Sequence, residues 1–156
     1  ISDLSDPIEE GPSFQLFTRE YLEKARNALA EGGMFVLQSG PITPVAPQQH
    51  ARLARTQRAV FPHVVSYAQH VPTYCASWSF TLASERELTM LSDPARVDRA
   101  LAEQTTGGLR LLDGATMLGI LQMPLYMRRA IAEETRVYTL NEPMKFFGKG
   151  VAATKE

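Results

Sequence analysis

Four consecutive apolar residues, Met34-Phe35-Val36-Leu37, are fenced by Gly32-Gly33 in front and Gln38-Ser39-Gly40-Pro41 behind, and they constrain the fold more than any other stretch. A run so short, apolar at every position and bounded by turn residues, is the pattern of a central strand buried on both faces. Such a strand needs helices around it. Residues 18–30 place Tyr21, Leu22, Ala25, Ala28 and Leu29 at helical spacing among charged residues, and residues 48–60 place Leu53, Ala54 and Val60 on one face. Pro62 ends the second helix. Gly32-Gly33 stops the first, and because it precedes the strand it has the wrong order for a phosphate-cradling loop.

Two further strands follow, residues 64–68 and 77–83. The connection between them, which includes His70-Val71-Pro72-Thr73-Tyr74-Cys75-Ala76, is too short for a parallel crossover, so the two are expected to be antiparallel neighbours. Beyond Glu85 the pattern turns helical and polar. Residues 94–104 and 123–133 read as helices, the second with Pro124 near its first turn, and residues 109–114 read as a short strand or turn. The expected fold class is therefore α/β.

The opening decamer, Asp3-Leu4-Ser5-Asp6-Pro7-Ile8-Glu9-Glu10-Gly11-Pro12, is a proline-punctuated acidic loop. Pro7 pushes Asp6 out of the helical region, and Gly11-Pro12 repeats the break. Asp3 and Asp6 cannot both enter a core unpaired, because a buried carboxylate without a partner costs several kcal/mol. They either hold a cation or serve as turn residues, with Ser13 as a helix cap. Gln38, at the end of the buried strand, stands where open α/β sheets place ligand contacts, or else it bonds a neighbouring loop.

Composition narrows the classes. At 156 residues and 44% hydrophobic, the chain is long enough for one domain with a core. A net charge of −1 without a basic run gives no nucleic-acid surface, and one cysteine excludes an internal disulfide framework. No apolar run is long enough to span a bilayer and there is no signal-peptide pattern, so a soluble, cytoplasmic protein is expected. His50, His63 and His70 share no metal spacing and read as structural residues, so no metal site is expected. Arg52, Arg55 and Arg58 read as a solvated face, Cys75 as a small buried thiol, and Met117, Met123 and Met127 as core filler.

The ordered set DLSDPIEEGPSFQLF, GGMFVLQSGP, VVSYAQHVPTYCASWSFTLAS and ETRVYT resembles the spermidine synthase family of polyamine aminopropyltransferases over almost the whole chain. VPTYCASWSF and QSGP resemble the thermospermine synthase and thermophile aminopropyltransferase branch. The resemblance implies the C-terminal half of a Rossmann-like, methyltransferase-type doubly wound sheet with its last strands antiparallel. The activity implied is transfer of an aminopropyl group from decarboxylated S-adenosylmethionine, a co-substrate, to putrescine, agmatine or spermidine, with no further cofactor. It implies Asp3 as the general base, which also touches the donor, and Asp6, Gln38 and Tyr74 as polyamine-binding residues. Pro12 and Leu16 match positions that cover the donor's adenine.

No glycine-rich nucleotide turn is found, and the chain opens on Ile1. Residues 1–156 are thus expected to be the C-terminal part of a catalytic domain, inactive without a complementary N-terminal portion. Dimers or tetramers are expected from the family. A methyltransferase of the same fold and a non-catalytic assembly module are the competing functions.

Overall fold

The computed structural model describes residues 1–4, 12–88, 93–143, 146–147 and 151–152. Its centre is a three-stranded antiparallel sheet of β1 (Met34–Pro41), β2 (His63–Val71) and β3 (Ala76–Ser84), in the order β1-β3-β2. β3 aligns Leu82 with Val36 and Val65, and Phe80 with Gln38 and Tyr67. The expected hairpin is therefore present. A 3-10 turn at Pro72–Tyr74 reverses the chain, closed by Cys75 in the left-handed region at φ 48°.

On its other edge β1 meets the opening residues. Ser2 forms a parallel bridge to Leu37, its N–H donating to the Val36 carbonyl (2.7 Å) and its carbonyl accepting from Gln38 N–H (3.2 Å). The apolar run is thus flanked on both sides, as its sequence requires. The strand does not end at Gln38, as the sequence suggests, but continues to Pro41 across a register irregularity. Gly40 makes this possible with φ +82°, and a Cβ there would stand 2.4 Å from the Gln49 Nε2.

Two helices cover one face of the sheet. α1 (Arg19–Ala28) is capped by Thr18, whose Oγ1 accepts from Tyr21 N–H, and it buries Leu22; Ser13 instead lies in a 3-10 turn, Pro12–Phe17. α2 (Gln48–Arg58) presents Leu53 to a core that includes Phe17, Leu22, Phe35, Leu37, Phe61 and Tyr138. Its flank carries Ala51 and Ala54 against Met123, Met127 and Ile131, so α2 lies between the sheet and α5 (Leu125–Glu133).

α3 (Pro94–Gln104) has the expected bounds, with Asp93 capping it. Residues 109–114 form no strand. Gly114 instead begins α4 (Gly114–Ile120), its N–H donating to Asp98 Oδ1 at 2.7 Å, and a Cβ there would lie 2.0 Å from the Pro94 carbonyl oxygen. Phe146–Phe147 and Val151–Ala152 pair as two-residue strands, β4 and β5.

Three smaller expectations change. Cys75 is exposed, because the turn that carries it stands clear of the core. Arg52 is not on a solvated face: its side chain lies over the Tyr138 ring and pairs with Glu134 at 3.4 Å. Burial opposes the Glu134 charge, but the Arg136 N–H, Arg52 and Arg136 outweigh it and hold its carboxyl below the usual range. Met117 lies on α4 outside the two core clusters, whereas Met123 and Met127 are buried in one of them.

Candidate active site

The second face of the sheet carries the site. In a strand alternate side chains share a face, so Trp78 and Phe80 of β3 stand beside Tyr67 and Val71 of β2 and Val36 and Gln38 of β1. With residues Ile1–Leu4 these line a cavity of about 730 Å³ that also includes Tyr74. Two aromatic contacts build its wall. Tyr67 stacks on Phe80 at 5.2 Å between centroids, and Tyr74 tilts onto Trp78 at 4.7 Å. Burial raises the Tyr67 pKa above its ordinary value.

Gln38 ties the cavity together. Its Oε1 accepts from Trp78 Nε1 (2.6 Å) and from Gly40 N–H (3.2 Å), and its Nε2 donates to the Leu4 carbonyl (3.0 Å). An amide oxygen has two lone pairs, so this one is fully used by the protein itself. The side chain is 7% exposed, at the cavity wall. Of the two readings open from sequence, the bond to a neighbouring loop is the one observed, and direct acceptance of a ligand ammonium by Oε1 would break a bond already made.

Asp3 lies at the cavity with its side chain exposed, where its carboxylate is the anionic group among the lining residues. Tyr74 is 57% exposed at the mouth. The structure thus brings Asp3, Gln38 and Tyr74 to one hollow. Asp6 lies outside the described residues, as does the side chain of Pro12. Leu16 does not line the cavity: the 3-10 turn that carries it leads Phe17 into the core on the other side.

Sequence reasoning missed Trp78, Phe80 and Tyr67 as site residues. The signal was present in the alternation Trp78-Ser79-Phe80, whose aromatic positions face away from the helices while Ser79 and Thr81 are fully buried beneath them. Among the described residues no cluster of His, Cys, Asp and Glu is placed to hold a metal ion. No helix among them is long and apolar enough to cross a membrane.

Comparison with known proteins bears on this arrangement. Residues 1–93 match the model of the spermine/spermidine synthase domain. A polyamine aminopropyltransferase of Synechococcus sp. is 44% identical over 146 residues, covering 92% of this chain and 47% of the relative. One from Aeropyrum pernix is 38% identical over 143 residues, covering 90% of this chain and 45% of its own length. A thermospermine synthase of Arabidopsis thaliana is 29% identical over 154 residues, covering 97% and 45%. The chain therefore spans about half the length of the curated relatives it matches. Among solved structures, spermidine synthase in complex with the transition-state analogue AdoDATO superposes with a TM-score of 0.61 at 22% identity, covering 77% of this chain and 41% of that one. The spermidine synthase of Thermotoga maritima gives 0.61 at 21%, covering 76% and 40%. These superpositions establish the fold, and the match over the acidic opening, the buried strand and the aromatic hairpin establishes that the chain belongs to the spermine/spermidine synthase family.

Proposed function

We propose that the cavity is the amine-acceptor side of an aminopropyl-transfer site, acting with a complementary donor-binding portion. The observation that supports this best is the combination of Asp3 with an aromatic wall in one hollow. An alkylammonium gains from both, since aromatic faces attract cations and a carboxylate neutralises them.

The chemistry follows from the acceptor's acidity. An alkylammonium has a pKa near ~10, so the reactive nitrogen must lose a proton before it can attack, and a nearby carboxylate can accept that proton. Asp3 is proposed for this role. The nitrogen lone pair then attacks the methylene beside the donor's sulfonium. The carbon–sulfur bond breaks, its electron pair stays on sulfur, and methylthioadenosine leaves neutral without an acid. Alignment of the two reactants and exclusion of water supply most of the acceleration.

Gln38 and Trp78 position the acidic segment against the aromatic wall, and Tyr74 flanks the acceptor. Asp6, Pro12 and Leu16 keep the roles that the resemblance gives them, Asp6 toward the amine and the other two toward the donor's adenine. An oligomer of the family's usual kind, a dimer or tetramer, belongs to the same proposal.

The test is transfer from decarboxylated S-adenosylmethionine to putrescine, agmatine or spermidine by the protein complete with its donor-binding portion. Asp3→Asn should lower the rate by roughly 10²–10⁴-fold while folding is retained. An unchanged rate removes Asp3 from the mechanism, and S-adenosylhomocysteine as product would establish methyl transfer instead.

A further inference from the structure

A second hollow, of about 350 Å³, lies behind the sheet. It is lined by Arg58 at the end of α2, Ser66 of β2, Gln122 and Met123 ahead of α5, and Arg128 and Ile131 on α5. Ser66 is next to Tyr67 in the strand and so belongs to the opposite face from the aromatic wall. The two hollows are separate.

Two arginines, Arg58 and Arg128, line this hollow, and among the described residues neither is in an ion pair that would neutralise it. Like charges gathered at one hollow leave its potential positive. Arg58 bears a further cost from partial burial and from Arg55, both of which work against its charge.

The Ser66 hydroxyl at the same hollow is also oriented to donate. His50, fully buried, contacts Ser66 Oγ through Nε2 at 2.9 Å, and its Nδ1 has no partner. Burial, with a smaller contribution from Arg58, lowers the His50 pKa to about 4, so the ring is neutral near pH 7 and carries one proton. An orphaned buried N–H is the costlier choice than an orphaned lone pair, so the proton belongs on Nε2, donated to Ser66 Oγ. The serine hydrogen is then free for the hollow. Gln122 offers an amide, and Met123 and Ile131 give an apolar floor.

We propose that this hollow binds an oxyanion of the phosphate or carboxylate class, held by Arg58 and Arg128 and by the Ser66 hydroxyl that His50 orients. The site is independent of the amine cavity, and its test requires no catalytic activity.

Inorganic phosphate is the probe, titrated at constant ionic strength with sodium chloride making up the balance, and read by calorimetry and by the rise in Tm. Saturable binding is expected, weakened at least about tenfold in Arg128→Gln and in Arg58→Gln, as loss of a charge-assisted contact implies, and severalfold in Ser66→Ala. Arg128 is exposed, so its variant keeps the fold even if the Ser66 and Arg58 variants do not. Glycerol phosphate and malonate, run in parallel, distinguish a phosphate ester from a dicarboxylate as the tighter ligand. Absence of saturable binding by all three, or equal affinity in the wild type and Arg128→Gln, overturns the proposal.

Discussion

Replacing Gln38 by leucine tests the junction on which the aromatic cavity depends. The substitution leaves an apolar side chain one atom shorter and removes the acceptor for Gly40 N–H and Trp78 Nε1 and the donor to the Leu4 carbonyl. Each buried N–H left unpaired costs roughly 1–3 kcal/mol. Gly40 is fully within the strand layer and takes the larger share, whereas the Trp78 indole fronts a cavity that water can enter and takes the smaller. The sum is about 2–4 kcal/mol, which for a domain of this size lowers Tm by roughly 5–15 °C.

Trp78 is the single tryptophan in the chain, so its emission reports on this junction directly. Urea unfolding followed by Trp78 fluorescence and by far-ultraviolet circular dichroism should give coincident transitions shifted to lower urea in Gln38→Leu. In Gln38→Glu the two acceptor bonds survive and a carboxylate oxygen faces the Leu4 carbonyl. That variant should keep the indole's native emission while the Ser2 amide, bonded to the Val36 carbonyl, exchanges faster. A loss of under about 0.5 kcal/mol in Gln38→Leu, the range of ordinary surface changes, would refute the reasoning.

Three other outcomes follow from the structure. His50, with its pKa lowered from 6.5 to about 4, is neutral in the native state and takes up a proton on unfolding below pH 6.5; stability is therefore full above that pH and falls toward pH 4. The loss is about 2 kcal/mol at pH 5 and about 3 kcal/mol by pH 4, measured as the part of the urea-midpoint change that His50→Gln abolishes. Gly40→Ala should destabilise by roughly 2–3 kcal/mol, since φ +82° is strained for alanine and the buried Gln49 must move; a neutral result in thermal denaturation would contradict the bulge geometry. Tyr74→Ala, at a side chain 57% exposed, should leave Tm within a few degrees yet weaken polyamine quenching of Trp78 severalfold, and unchanged quenching would take Tyr74 out of the acceptor site.

What could be read from the chain in advance was what short-range physics decides. Residues 94–104 were legible because the proline at the first helical position is a local start signal, and the cap, Asp93, immediately precedes it. The hairpin was legible because a short connection leaves an antiparallel pair as the outcome. α4 was not: a glycine opens it and another interrupts it, and Gly114 is there for its approach to Pro94, twenty residues upstream. Arg52 reads as solvated until Glu134 and Tyr138 come beside it, more than eighty residues later in the chain. Of the residues named from motif and resemblance, Asp3, Gln38 and Tyr74 line one cavity. The aromatic wall was not legible, because it exists only once the register sets Tyr67 against Phe80.

The same long-range register changes the part assigned to Gln38. A strand-end glutamine looks like a ligand contact when only its neighbours in sequence are known. In the structure it joins Leu4 to Trp78, segments 74 residues apart in the numbering of the chain, and its carbonyl oxygen is already saturated. Under the proposed function, recognition of an amine here falls to groups with capacity to spare: the Asp3 carboxylate and the faces of the aromatic rings. Ring faces attract a cation over a broad area, whereas a carboxylate draws it to one point. Such a division lets one end of an acceptor be fixed at Asp3 while its length is measured against the trough of Tyr67, Phe80, Trp78 and Tyr74. The proposed function thus places the choice of acceptor on the hairpin rather than on the buried strand.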